Sequence, residues 1–210
     1  MQHVFHKGTD ETKPIFLLLH GTGGNEQSLI GLAKKIDDTA SILSVRGNVL
    51  ENGMPRFFRR LAEGVFDLED LIFRTKELND FLLEAAQQYD FDRNRVVAIG
   101  YSNGANIAAS LLFHFEDALA GAILHHPMVP RRDIELPSLS SIPVFIGAGT
   151  NDPMCSAQES EDLEAILTSA GADVTTVWFN YGHQLTMPEV EAAKEWYDRI
   201  YLTSFSKWFL

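Results

Sequence analysis

Short runs of apolar, strand-forming residues alternate with longer segments whose apolar positions recur every three or four residues, almost from end to end of the chain. The short runs predict strands over His3–His6, Ile15–Leu19, Ser41–Val45, Arg95–Ile99, Gly121–His125, Val144–Gly147 and Val174–Phe179. Several have no polar residue at their centre, as expected of parallel strands covered on both faces. The periodic segments predict helices over Glu26–Ile36, Leu68–Tyr89, Asn103–Phe115, Ser156–Ala170 and Pro188–Leu202. In the longest, Leu68, Leu71, Ile72, Leu78, Phe81, Leu82 and Ala85 fall at helical spacing. Ser156 with Glu159, and Thr186 with Glu189, have the spacing of capping boxes. Pro188 falls early in the last helix, and Ala170-Gly171 supplies a helix stop.

This alternation predicts an α/β protein, a three-layer sandwich around a mostly parallel central sheet, with its chemistry at the carboxyl ends of the strands. The stretch that breaks the pattern is Arg46–Asp67, which holds four arginines and three phenylalanines after a strand end. It is either a plain surface connection or, as long connections in compact domains often are, part of the site.

Composition narrows the partners. At 210 residues, 1–210 is expected to form one domain with a substantial core. A formal net charge of −12 argues against nucleic acid or an anionic membrane as a partner, because both would repel it. The N-terminal "MQHVFHKGTDETKP" lacks the apolar core of a secretion signal, and no run approaches the roughly 18 apolar residues of a membrane span. Cys155 is the only cysteine, so no internal disulfide can form. These features together predict a cytoplasmic protein without membrane insertion.

Four polar features stand at predicted strand ends: His20-Gly21-Thr22-Gly23-Gly24, Gly100-Tyr101-Ser102-Asn103-Gly104, Asp152 in "GAGTNDPM", and His183 in "NYGHQL". Each has an ordinary explanation alone. The glycine loop could be merely flexible, Ser102 could sit in a glycine turn, Asp152 before Pro153 could start a turn, and His183 is one of seven histidines. Jointly they say more, because Ser102, Asp152 and His183 follow one another in the chain order of an α/β hydrolase, each after its own strand. A serine hydroxyl becomes a nucleophile only when a base takes its proton. His183 is the candidate base, and Asp152 the group that orients it.

With these motifs in place, the chain resembles the small phospholipase/carboxylesterase family of α/β hydrolases over nearly its whole length. "SVRGNVLENGMPRFFRR" and "GVFDLEDL" are similar to a Firmicute-type carboxylesterase subgroup. The resemblance implies an α/β-hydrolase fold without a large cap domain, since only His126–Ile142 is available for one. It implies a serine carboxylesterase acting on small to medium acyl esters through an acyl-enzyme, with no cofactor. The backbone N–H groups of Thr22 and Asn103 are then the expected oxyanion donors. A thioesterase, or a hydrolase of aromatic ring-cleavage products, would use the same residues; a ligand-binding fold without catalysis would be expected to lack one of them. A homodimer is compatible with the resemblance.

Dienelactone hydrolases carry a cysteine at the elbow, where this chain has Ser102. Met54, Phe57, Phe58, Phe66 and Met154 are expected to line an apolar substrate pocket, and most nearby arginines to pair with local Glu and Asp. The adjacent His125 and His126 are set aside, because neighbours on a regular strand point to opposite faces. No cluster has zinc-ligand spacing, and no dinucleotide fingerprint follows a strand, so no metal or nucleotide is expected.

Overall fold

A computed structural model describes residues 1–202 of the chain. Its elements, in chain order, are β1 (His3–His6), β2 (Ile15–Leu19), α1 (Ile30–Ile36), β3 (Ser41–Val45), β4 (Val49–Glu51), β5 (Met54–Arg56), β6 (Arg60–Ala62) and β7 (Val65–Phe66). They continue with α2 (Leu68–Tyr89), β8 (Val96–Tyr101), α3 (Asn103–His114), β9 (Gly121–His125), β10 (Pro143–Gly149), α4 (Ala157–Ser169), β11 (Asp173–Phe179) and α5 (Met187–Tyr197). Seven strands form one sheet in the order β1-β3-β2-β8-β9-β10-β11, with β1 antiparallel to β3 and every other pair parallel.

The period-two geometry of a strand divides the core into two layers. Leu17, Leu19, Leu43 and Val45 face α2, α3 and α4, packing among residues such as Leu78, Leu82, Ala108, Leu112 and Leu163. Phe16, Leu18, Ile42, Val97 and Ile99 face α1 and α5, against Ala33, Ile36, Ala193, Trp196 and Tyr197. Both faces of β2 are covered, so all five of its residues are buried. This is the α/β-hydrolase architecture. Residues 126–142, between β9 and β10, contain neither helix nor strand, so no cap domain sits there. From β2 the chain moves outward to β3 on one side, while β8 to β11 extend on the other. That reversal opens a crevice at the carboxyl ends of β2 and β8, the usual place for a ligand in such a sheet.

Several boundaries differ from the sequence expectation. β8 runs on through Gly100 and Tyr101, up to the turn itself. α1 begins at Ile30, because Glu26 is drawn into a hydrogen-bonded pair with Arg46 (2.5 and 2.9 Å). α5 ends at Tyr197 and passes into a π-helical turn over Asp198–Leu202. Ser156 and Thr186 are N-caps by position, but neither side chain caps its helix. Their expected Glu partners act elsewhere: Glu159 accepts from the Val129 N–H and from Arg132, and Glu189 faces His125 and His126. Leu68 and Ile72 lie on the exposed side of α2. The irregular stretch Arg46–Asp67 folds into two small hairpins, β4–β5 and β6–β7. Among the described residues no helix is long and apolar enough to cross a membrane.

Candidate active site

Ser102 occupies the turn between β8 and α3 with φ +52° and ψ −115°, a left-handed conformation that side chains other than glycine's rarely adopt. Its flanking glycines are required by space. A Cβ on Gly100 would lie 2.6 Å from the Gly104 carbonyl oxygen, and one on Gly104 would lie 1.9 Å from the Leu19 carbonyl oxygen. Small residues therefore let α3 start against β2 and β8, and the sharp turn presents Ser102 to the crevice. The Ser102 Oγ–H donates to His183 Nε2 (2.9 Å), and His183 Nδ1–H donates to Asp152 Oδ2 (2.7 Å).

The two partners arrive on loops after β10 and β11. Asn151 Oδ1 accepts from the Gly182 N–H (2.8 Å), tying one loop to the other. The Tyr101 hydroxyl donates to the His183 carbonyl (2.6 Å), so the residue before Ser102 anchors the loop that carries the imidazole. The other Asp152 oxygen, Oδ1, accepts from the N–H groups of Met154 (2.8 Å) and Cys155 (3.0 Å). Burial of Asp152 favours its neutral form, but the hydrogen bond from His183 and those from the two backbone donors outweigh it. Its pKa is lowered from the ordinary 3.8. A hydroxyl, an imidazole and an ionised carboxylate in series is the arrangement that activates an oxygen nucleophile.

Thr22 and Asn103 line the same cleft as Ser102 and His183. Asn103 is the first residue of α3, so its N–H has no acceptor within the helix. The β4–β5 hairpin and the residue after it grip both positions through consecutive residues. The Pro55 carbonyl accepts from Gly23 N–H (2.9 Å), Arg56 Nη1 donates to Thr22 Oγ1 (2.6 Å), and Phe57 N–H donates to Asn103 Oδ1 (2.7 Å). His20 is fixed from the same side: its Nε2 accepts from the Gly47 N–H (3.1 Å), and Nδ1–H donates to the Gly21 carbonyl (2.6 Å). Burial lowers its pKa below the ordinary 6.5.

The cleft is small, with about 40 Å³ open to water-sized molecules. Of the five residues expected to line it, Phe66 and Met154 do so. Phe57 and Phe58 do not: both are buried in the core, Phe57 against the His20 ring and Phe58 edge-on to Phe66. Met54 does not line it either: it is exposed and lies next to Gly23 of the glycine loop. Apolar character predicts burial, and here the core is what takes it. The β6–β7 hairpin supplies Arg60, Glu63, Gly64 and Phe66 to the cleft wall. The arginines mostly pair locally, Arg59 with Asp67 and Arg60 with Glu51, while Arg56 is buried at 3% exposure.

His126, set aside on the alternation of a regular strand, also lines the cleft. It stands one residue past β9 with φ +53°, so the alternation of a regular strand does not apply to it. His126 Nδ1 lies 2.9 Å from Asp152 Oδ2, the same oxygen that receives His183. Cys155 lines the cleft too, but its Sγ donates to the Pro127 carbonyl (2.7 Å). Burial, reinforced by Asp152, pushes its thiol pKa up to about 12. A thiol in that state is a poor nucleophile.

Residues 61–209 match the dienelactone hydrolase family. The chain is 60% identical to the protein MhqD of Bacillus subtilis over 94% of this chain and 98% of that one. It superimposes on the crystal structure of the Bacillus cereus carboxylesterase with a TM-score of 0.94 at 71% identity, covering 95% and 94% of the two chains. It is also similar to YahD, solved with malic acid, with a TM-score of 0.90 at 33% identity over 94% and 98% of the chains.

Proposed function

Because the chain belongs to the dienelactone hydrolase family, we propose that it is an esterase, and specifically a serine carboxylesterase that works through an acyl-enzyme. The observation that carries this reading is the continuous hydrogen-bond series from Ser102 through His183 to an ionised Asp152. The name of the 71% identical carboxylesterase supports the same reaction class. The family's cysteine nucleophile has no counterpart here, since Ser102 holds the elbow and Cys155 is turned into the protein.

In this reading His183 Nε2 takes the Ser102 proton as Oγ attacks the ester carbonyl carbon. The carbonyl oxygen becomes an oxyanion held by the N–H groups of Asn103 and Thr22, beside the positive end of α3. When the carbon–oxygen bond to the alcohol breaks, His183 returns the proton to the leaving group. Water, deprotonated by the same imidazole, then releases the acid and restores Ser102. Asp152 stays ionised throughout and stabilises the imidazolium.

The small cleft favours short and medium acyl groups. An apolar groove lined by Leu29, Leu32, Leu185, Met187 and Val190 shares Thr22 with it and gives room for a larger alcohol portion. The test is a panel of p-nitrophenyl esters and acyl thioesters of two to twelve carbons. The expected result is fastest turnover of esters of about two to six carbons, with S102A and H183A reduced by about 10³-fold or more. Undiminished hydrolysis by S102A would overturn the reading.

A further inference from the structure

Behind Asp152 the hydrogen-bond series continues through side chains that the esterase reading leaves without a role. His126 Nε2 faces Glu189 Oε2 on α5 (3.1 Å), and Glu189 Oε1 faces His125 Nδ1 (2.5 Å). All three side chains are buried: His125 and Glu189 at 0% exposure and His126 at 2%. Room for the carboxylate is built into the sheet, since a Cβ on Gly147 of β10 would lie 2.2 Å from Glu189 Oε1. A buried carboxylate is costly unless it is paired and hydrogen-bonded, so this one is held for a reason beyond packing.

The donors and acceptors fix the protonation. Asp152 Oδ1 accepts from the Met154 and Cys155 N–H groups, Oδ2 accepts from His183, and His126 Nδ1 lies 2.9 Å from the same Oδ2, a fourth contact that completes the acceptor capacity of an ionised carboxylate when that nitrogen is protonated. His126 presents one ring nitrogen to that carboxylate and the other to Glu189. Asp152 and Glu189 both have lowered pKa values, and a ring lying between two ionised carboxylates satisfies both only when each of its nitrogens carries a proton. Other groups around it are consistent with this. The ring of His183 lies 5.1 Å away, that of Tyr101 6.1 Å, Cys155 is an un-ionised thiol, and His125 lies on the far side of Glu189. Among the described residues around Asp152, the other ring that takes a positive charge is His183, and it does so only while it holds the Ser102 proton.

We propose that His126 is a positioning residue of the site: a cation, held by Glu189, that fixes the Asp152 carboxylate from behind and tempers its pull on His183. The proposal rests on the reading of Ser102, His183 and Asp152 as a catalytic series. Its effect has a definite sign. A cation sharing Asp152 Oδ2 with His183 weakens the attraction of that carboxylate for an imidazolium at His183, and its removal strengthens it. His126 itself keeps both protons throughout the cycle, and none passes to Asp152 or Glu189. Burial opposes the charged ring, but its hydrogen bonds and attraction to Glu189, then to Asp152, raise its pKa above the ordinary 6.5.

Two measurements on the full chain test this. The first is the ¹⁵N spectrum of the histidine rings at pH 8, assigned by comparison with H126N. The proposal expects both ring nitrogens of His126 protonated in wild type and one of them deprotonated in E189Q. A neutral His126 ring in wild type would overturn it. The second is kcat/KM for p-nitrophenyl butyrate from pH 4.5 to 9. Asn fits the left-handed backbone at 126 and can still donate to Asp152, but it carries no charge. In H126N the acidic limb is expected to move up by about one pH unit, and in E189Q in the same direction by less. E189Q keeps the size of the side chain and serves if H126N folds poorly. A fall in rate at every pH with the limb unmoved in the folded variants would make His126 merely structural and end the proposal. S102A run alongside separates the two readings: wild-type activity there would remove the catalytic series itself, whatever state His126 is in.

Discussion

Arg56 Nη1 donates a 2.6 Å hydrogen bond to Thr22 Oγ1, and Arg56 is only 3% exposed. Its Nε donates to the Phe58 carbonyl (3.2 Å), and Glu51 lies 3.8 Å from Nη1. The guanidinium thus locks the loop that carries one proposed oxyanion donor to the β4–β5 hairpin. It also places a buried positive charge close to where negative charge would develop.

From this contact, R56K is expected to lower kcat by about tenfold to a hundredfold with a much smaller change in KM. Lysine keeps the charge but cannot hold Thr22 and the Phe58 carbonyl together. Steady-state kinetics on p-nitrophenyl butyrate measure both constants. A rise in KM at constant kcat would mean that Arg56 binds substrate and does not shape the oxyanion site.

The two glycines of the elbow predict a contrast in stability. G100A and G104A each force a Cβ into backbone atoms at 2.6 and 1.9 Å, respectively. Each is expected to cost about 1–3 kcal/mol or more in urea unfolding. G31A, on α1 with nothing within 4 Å of the added carbon, is expected to stabilise by about 0.5–1 kcal/mol. Equal effects at the three positions would contradict the close packing of α3 on β2.

The Glu189 network predicts how stability follows pH. Burial opposes ionisation of Glu189, yet hydrogen bonds from His125 and His126 hold its pKa at about 2, against an ordinary 4.5. A depressed carboxylate contributes stability that is present above about pH 4.5 and is lost as pH falls toward 2. His126, with its pKa raised above 6.5, contributes stability that is complete below 6.5 and is lost as pH rises past its folded value. E189Q removes both contributions, so it is expected to be less stable than wild type by about 3 kcal/mol near pH 5. That gap should close toward pH 2 and narrow at alkaline pH. Urea midpoints across pH measure it, and parallel curves for the two proteins would contradict the network.

What the sequence made legible follows from burial. The central strands stand out because both their faces are covered, leaving uninterrupted apolar runs such as "IFLLL" in β2. Ser102 and Asp152 stand out because they follow such runs in β8 and β10, whereas His183 follows the mixed, partly exposed DVTTVWF of the edge strand β11. The hairpins between Arg46 and Asp67 do not, since strands of two or three residues are too short to show a period. Phe57 and Phe58 are apolar for the core, and apolar character alone does not distinguish a core from a cleft wall. Setting His126 aside is wrong because one residue of positive φ past β9 breaks the alternation that governs a strand. Glu189 has the spacing of a helix cap, and only the folded sheet brings it to His125 and His126.

The central claim, that Ser102 is the nucleophile, is tested most directly by reaction with a fluorophosphonate followed by intact-mass and peptide analysis. Wild type and C155S are expected to gain one adduct each, on the peptide containing Ser102, with S102A unmodified. An adduct on Cys155, or equal modification of S102A, would contradict the account.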